Sequence, residues 1–155
     1  MTDSSGAPPT RRPSGFLDQF DAAQIEQLLW YLERLEVEPG DVLISEGNVD
    51  QSLFIVVRGA FEVTREGQLL AVLRSGNVLG ELAFLDARPR SASVTVTESG
   101  EVLRMTRAGF DEMRGRDADL ACALAIEVGR ALSERFRDSQ KVPYGAAQPD
   151  RGVPG

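Results

Sequence analysis

Leu53–Leu73 reads LFIVVRGAFEVTREGQLLAVL, and this stretch decides the fold class. It holds three runs rich in β-branched and aliphatic residues, Leu53–Val57, Phe61–Arg65 and Gln68–Leu73, punctuated by glycine. Glu66-Gly67 between the second and third runs is a turn pair, and Ser75-Gly76-Asn77 marks another turn just beyond. Moving outward, Val42–Ile44 on one side and Ser93–Thr97 and Val102–Met105 on the other are further strand candidates. Many short strands at this spacing indicate an antiparallel β-roll or jelly-roll barrel rather than a parallel sheet covered by helices.

On both sides of the β region the apolar period becomes helical. Asp21 is placed to cap a helix, with Gln24 three residues later and Phe20 able to staple onto Ile25. Ile25, Leu28, Leu29 and Leu32 recur at helical spacing, which suits packing against the barrel. After Met105 a short helix is expected over Arg107–Met113, and Asp117 is placed to cap a longer one running to about Asp138. On that helix Leu120, Leu124, Val128, Leu132 and Phe136 form an i, i+4 stripe suited to packing or dimer contact. The expected organisation is mainly β with flanking helices: one domain over 16–138, between disordered tails at 1–15 and 139–155 rich in Ser, Pro and Gly.

Composition narrows the chemistry. A chain of 155 residues has room for one domain with a real core. Its formal net charge of −7, with no basic block, disfavours DNA or RNA as partners. There is no histidine, and Cys122 is the only cysteine. That removes intramolecular disulfides, most zinc sites and histidine acid–base catalysis, so neither a metal site nor an enzyme is expected. No apolar run has the length of a membrane span and no signal region opens the chain, so the expected location is cytoplasmic.

The chemistry concentrates in Gly80–Val94, GELAFLDARPRSASV. Glu81 and Arg90 lie nine positions apart in an otherwise apolar frame. A carboxylate accepts hydrogen bonds from a sugar hydroxyl, and a guanidinium grips phosphate oxygens with its rigid fork of donors. Gly80 lets backbone approach a ligand closely, and Ser91 and Ala92 leave backbone amides open to the same anion. A short helix over Gly80–Leu85 would turn its free N–H groups toward the phosphate. The competing reading of Glu81 and Arg90 is a structural ion pair, a costly arrangement if both are buried with no further partner.

This segment resembles the phosphate-binding cassette of the cyclic nucleotide-binding domain family, roughly F-G-E-L-A-L, a spacer, then P-R-x-A-T-V. The Glu81 to Arg90 spacing matches without insertion, while Leu79 stands where the family often has Phe and Ser93 where Thr is usual. The resemblance extends over about Phe16 to Phe136 and includes VEPGDVLISEG (Val37–Gly47) and LFIVVRGAFEV (Leu53–Val63). The turn Asn48–Gln51 departs from it, lacking a glycine the family often carries there.

The resemblance implies a cyclic nucleotide sensor, cAMP favoured over cGMP, with movement of a C-terminal lid helix as output and no reaction performed. It gives Glu81 the ribose 2′-hydroxyl and Arg90 the cyclic phosphate. The Gly80, Leu82 and Ala83 backbone would line the sugar–phosphate, Ser91 adds a hydroxyl, and Ala92 adds its amide. Val63, Ala71 and Leu79 either line the purine side or are ordinary core, and Arg130 on the lid helix is the candidate to reach the base. No helix-turn-helix, channel or kinase segment is recognisable, so a protein partner or neighbouring domain is expected to convert binding into effect. The alternative function is a protein-interaction module of the same fold that no longer responds to nucleotide.

Overall fold

A computed structural model describes residues 15–140. The expected tails fall outside these residues except for Gly15, Ser139 and Gln140. A 3-10 helix (Phe16–Gln19) and α1 (Ala22–Leu29) lead into β1 (Glu33–Val37), β2 (Val42–Ile44), β3 (Leu53–Arg65), β4 (Gln68–Leu73) and β5 (Val78–Leu79). Then come α2 (Glu81–Asp86), β6 (Ser93–Met105), α3 (Arg107–Arg116) and α4 (Ala118–Ser139). All strand pairings are antiparallel, with order β1-β6-β3-β4, β2 on β6 and β5 on β3. The six strands form a roll rather than a closed barrel, with helices packed along one side.

The capping box expected at the first helix is present. Asp21 accepts from the Gln24 amide, and Gln24 reaches back to the Asp21 amide. That helix ends at Leu29, and β1, which the sequence reading passed over, begins at Glu33. β1 is only five residues long, with Leu35 and Val37 alternating with Arg34 and Glu36.

The two long strands replace two expected pairs of short ones. β3 runs unbroken through Gly59, and β6 runs unbroken through Gly100. The strands pair where these glycines lie, with register shifts around Arg58–Ala60. A Cβ on Gly100 would fall 2.0 Å from the Arg58 carbonyl oxygen. The glycines therefore bend two strands past each other rather than ending them.

Alternation along β3 builds two cores. Phe54 and Val56 face the interior of the roll with Phe61, Val96 and Val102. Leu53 and Ile55 face the helices, where Leu28, Met113, Leu124 and Val128 cover them. This places β5 and α2 where the roll interior meets α4. Among the described residues no helix is long and apolar enough to cross a membrane.

Candidate ligand-binding site

Gly80 starts the site. It caps α2 in the left-handed region, at φ +80, and an added Cβ would lie 2.6 Å from Arg90 Nη1 and 2.8 Å from the Ser52 carbonyl oxygen. The close approach the sequence assigned to this glycine is thus made to protein groups, above all to the arginine itself. The helix that follows is six residues long and ends at Ala87, also left-handed at φ 60. The chain then doubles back to Arg90. There the Arg90 amide donates to the Asn48 carbonyl at 2.7 Å, and the Arg90 carbonyl accepts from Gly47 at 2.8 Å.

Arg90 is buried, at 4% exposure, and is held from three directions. Nη2 donates to Asp50 Oδ2 at 2.8 Å and to the Ser52 carbonyl at 2.7 Å, and Nη1 donates to the Gly80 carbonyl at 3.1 Å. These bonds use three of the five guanidinium donors. Nε is buried with no hydrogen-bond partner. A buried N–H left unpaired is unfavourable, and an anion in the adjoining cavity would satisfy it. Burial raises the Asp50 carboxyl, but the hydrogen bonds from Arg90 and Ser52 outweigh it and hold Asp50 below its ordinary value. Asp50 therefore stays charged and keeps Arg90 in place.

Glu81 is buried too, at 6% exposure. Burial pushes its carboxyl above the ordinary value, against the pull of Arg135 and Arg90. A carboxylate so short of solvent gains from any donor that reaches it. Here the donor comes from α4: Arg135 Nη1 bonds Glu81 Oε2 at 2.6 Å, and Arg135 Nη2 donates to the Val78 carbonyl.

A cavity of about 90 Å³ brings these groups together. Of the residues expected at the site, Val63, Leu79, Gly80, Glu81, Leu82, Ala83, Arg90, Ser91 and Ala92 line it, joined by Ile44, Leu73 and Arg135. Ala71 and Arg130 are not among the lining residues. Ala71 pairs with Val63 across β3 and β4, while Arg130 is exposed and ion-paired with Glu127 at 3.3 Å. The α4 residue that reaches the cavity is Arg135.

The miss follows from helix geometry. Steps of four advance about 400° at 3.6 residues per turn, so the stripe drifts by about 40° each time. By Phe136 it has left the core, and that ring is 62% exposed. The in-phase series is Leu124, Val128, Ala131, Arg135, in which the arginine occupies a core-facing position.

α2 is fastened to the helices behind it. Phe84 packs edge-on against Phe110 at 5.3 Å, and the Arg107 guanidinium lies over both rings while donating to the Phe84 carbonyl at 3.1 Å. Side-chain contacts thus join α2 to both α3 and α4.

A family model described as cyclic nucleotide-binding domain matches residues 34–117. The chain is 35% identical over 101 residues to the cGMP-dependent protein kinase egl-4 of Caenorhabditis elegans, covering 65% of this chain and 13% of that protein. It is 36% identical over 81 residues to the cAMP-dependent protein kinase regulatory subunit of Yarrowia lipolytica, covering 51% of this chain and 22% of that protein. The chain thus spans only a minor part of the length of either relative. Among solved structures, the Thermus thermophilus catabolite activator protein superposes with a TM-score of 0.68 at 25% identity, over 81% of this chain and 59% of that one.

Proposed function

The chain belongs to the cyclic nucleotide-binding domain family, and from that premise we propose that it is a sensor that takes up a cyclic nucleotide between Glu81 and Arg90 and reports occupancy through α4. The observation that carries this reading is one cavity lined by a buried carboxylate and a buried guanidinium whose Nε has no partner. The cyclic phosphate accepts from Arg90, whose Nε is still unpaired, and a ribose hydroxyl donates to Glu81. Asp50 and the Ser52 and Gly80 carbonyls orient the guanidinium beforehand, so little ordering is left for the ligand to supply. Ser91 and the Ala92 backbone flank the phosphate end.

The rest of the lining supports cAMP over cGMP. Apart from Glu81, Arg90, Ser91 and Arg135, the lining side chains are apolar, with Ile44, Val63, Leu73 and Leu79 among them. Guanine presents more polar groups to such walls than adenine does, and each one desolvated without a partner costs affinity. The domain performs no reaction in this reading. Its effect passes to a protein partner or neighbouring domain.

Isothermal titration of cAMP, then cGMP, into protein stripped of nucleotide tests the proposal. One-to-one binding is expected, cAMP the tighter. Arg90→Ala removes charge-assisted hydrogen bonds worth about 1.5–3 kcal/mol and should weaken binding by roughly ten- to hundred-fold. Arg90→Lys restores charge without the fork and should recover only part of it. Unchanged affinity in Arg90→Ala would overturn the assignment.

A further inference from the structure

We propose that Arg135 is an internal ligand of this site, one that a bound nucleotide must displace from Glu81. The inference rests on the reading above and adds how the site is regulated. Arg135 is the one residue of α4 lining the cavity, and its guanidinium already occupies the Glu81 carboxylate that a ribose hydroxyl would need. Glu81 is buried, so without a ligand its charge requires a partner, and Arg135 supplies it. Ligand and arginine therefore compete at Glu81 Oε2, the oxygen that Arg135 Nη1 holds.

The displaced side chain has somewhere to go. Arg135 also lines a second, larger cavity of about 310 Å³ between the 3-10 helix, the turn at Gly76–Asn77 and the C-terminal half of α4. Glu127, Glu134 and Asp138 stand around that cavity with Arg130, which pairs with Glu127, so carboxylates outnumber the other cation at this second position. The side chain sits in the wall between the two spaces and can serve either. This is the two-state element that a switch needs.

The grip on α4 is local. Val128 is the last fully buried residue of the helix, and beyond it only Ala131, Leu132 and Arg135 are half-buried. Freeing Arg135 therefore loosens the helix from about Gly129 onward, while Leu120, Leu124 and Val128 keep its first half docked. Affinity and helix release are two readings of one equilibrium: the apparent affinity is the intrinsic affinity multiplied by the fraction of molecules that are unlatched.

The test is calorimetric titration of cAMP into the wild type, Arg135→Ala and Arg135→Gln, with amide hydrogen exchange of α4 measured on each without and with nucleotide. Arg135→Ala is expected to bind about tenfold tighter, the factor that a latched population of about 90% imposes. Its exchange over residues 129–139 without nucleotide should match that of the nucleotide-bound wild type. Arg135→Gln, which keeps a hydrogen-bonding end, should fall between, and it carries the test if the alanine variant does not fold. Weaker binding in both variants would make Arg135 a ligand contact and overturn the latch while leaving the nucleotide site standing. Equal affinity with unaltered exchange would also overturn it. No binding by the wild type or either variant would remove the nucleotide reading itself, and the latch with it.

Discussion

At the scale of one residue, Gly80 has little freedom to change. Its left-handed backbone, the 2.6 Å clearance to Arg90 Nη1 and the 2.8 Å clearance to the Ser52 carbonyl leave no place for a methyl group. Gly80→Ala must strain the backbone, at about 1–3 kcal/mol, and push Arg90 off its anchors. We expect nucleotide affinity to fall more than tenfold, with a melting temperature several degrees lower, read by calorimetry and thermal unfolding. Undiminished affinity would show that Arg90 need not hold its present position. Glu81, Arg90 and the glycine were legible in the sequence because their residue types and spacing are contiguous. Asp50 and Arg135, which hold the two charges, were not. One comes from a loop 40 positions before Arg90, and the other from a helix 54 positions after Glu81. Only the fold brings them in, although the arginine in phase with Leu124 and Val128 was a signal available to be read.

At the scale of elements, glycine was read as punctuation where the fold uses it as a bend. Arg58-Gly59-Ala60 and Glu98-Ser99-Gly100 resemble turns because each interrupts an apolar alternation. Their pairing partners are each other, which sequence periodicity cannot express. β1 escaped for a related reason: two apolar residues among charges carry little signal until Glu33–Val37 finds β6. The crossing of β3 and β6 predicts a sharp stability effect. A methyl group on Gly100 would meet the Arg58 carbonyl at 2.0 Å and the Gly59 Cα at 2.7 Å, both backbone atoms with no rotamer to yield. Gly100→Ala is therefore expected to cost at least about 2 kcal/mol, or roughly 4–10 °C in melting temperature. Gly115→Ala, with nothing within 4 Å of the added carbon, is the matched control. Equal melting temperatures for the two variants would mean that the strands can part at this point without loss.

At the scale of the whole molecule, an acidic protein has to attract an anion. The chain carries 24 Asp and Glu against 17 Lys and Arg, so its long-range field repels a cyclic phosphate, while Arg90 attracts it only at contact. These two effects respond differently to salt. The surface field is screened within about 10 Å at 0.1 M ionic strength, but salt reaches a buried guanidinium poorly. Raising salt should therefore speed association and leave dissociation nearly unchanged. Between about 20 and 200 mM salt we expect the affinity for cAMP to hold steady or tighten by up to about threefold, with the gain in the association rate. A surface that binds nucleic-acid backbone does the reverse and loses about 10³- to 10⁵-fold over a comparable range. Stopped-flow measurement with a fluorescent cyclic nucleotide analogue separates the rates. A steep loss of affinity with salt would place the binding energy in exposed cations, and the buried pair of Glu81 and Arg90 would then no longer account for recognition.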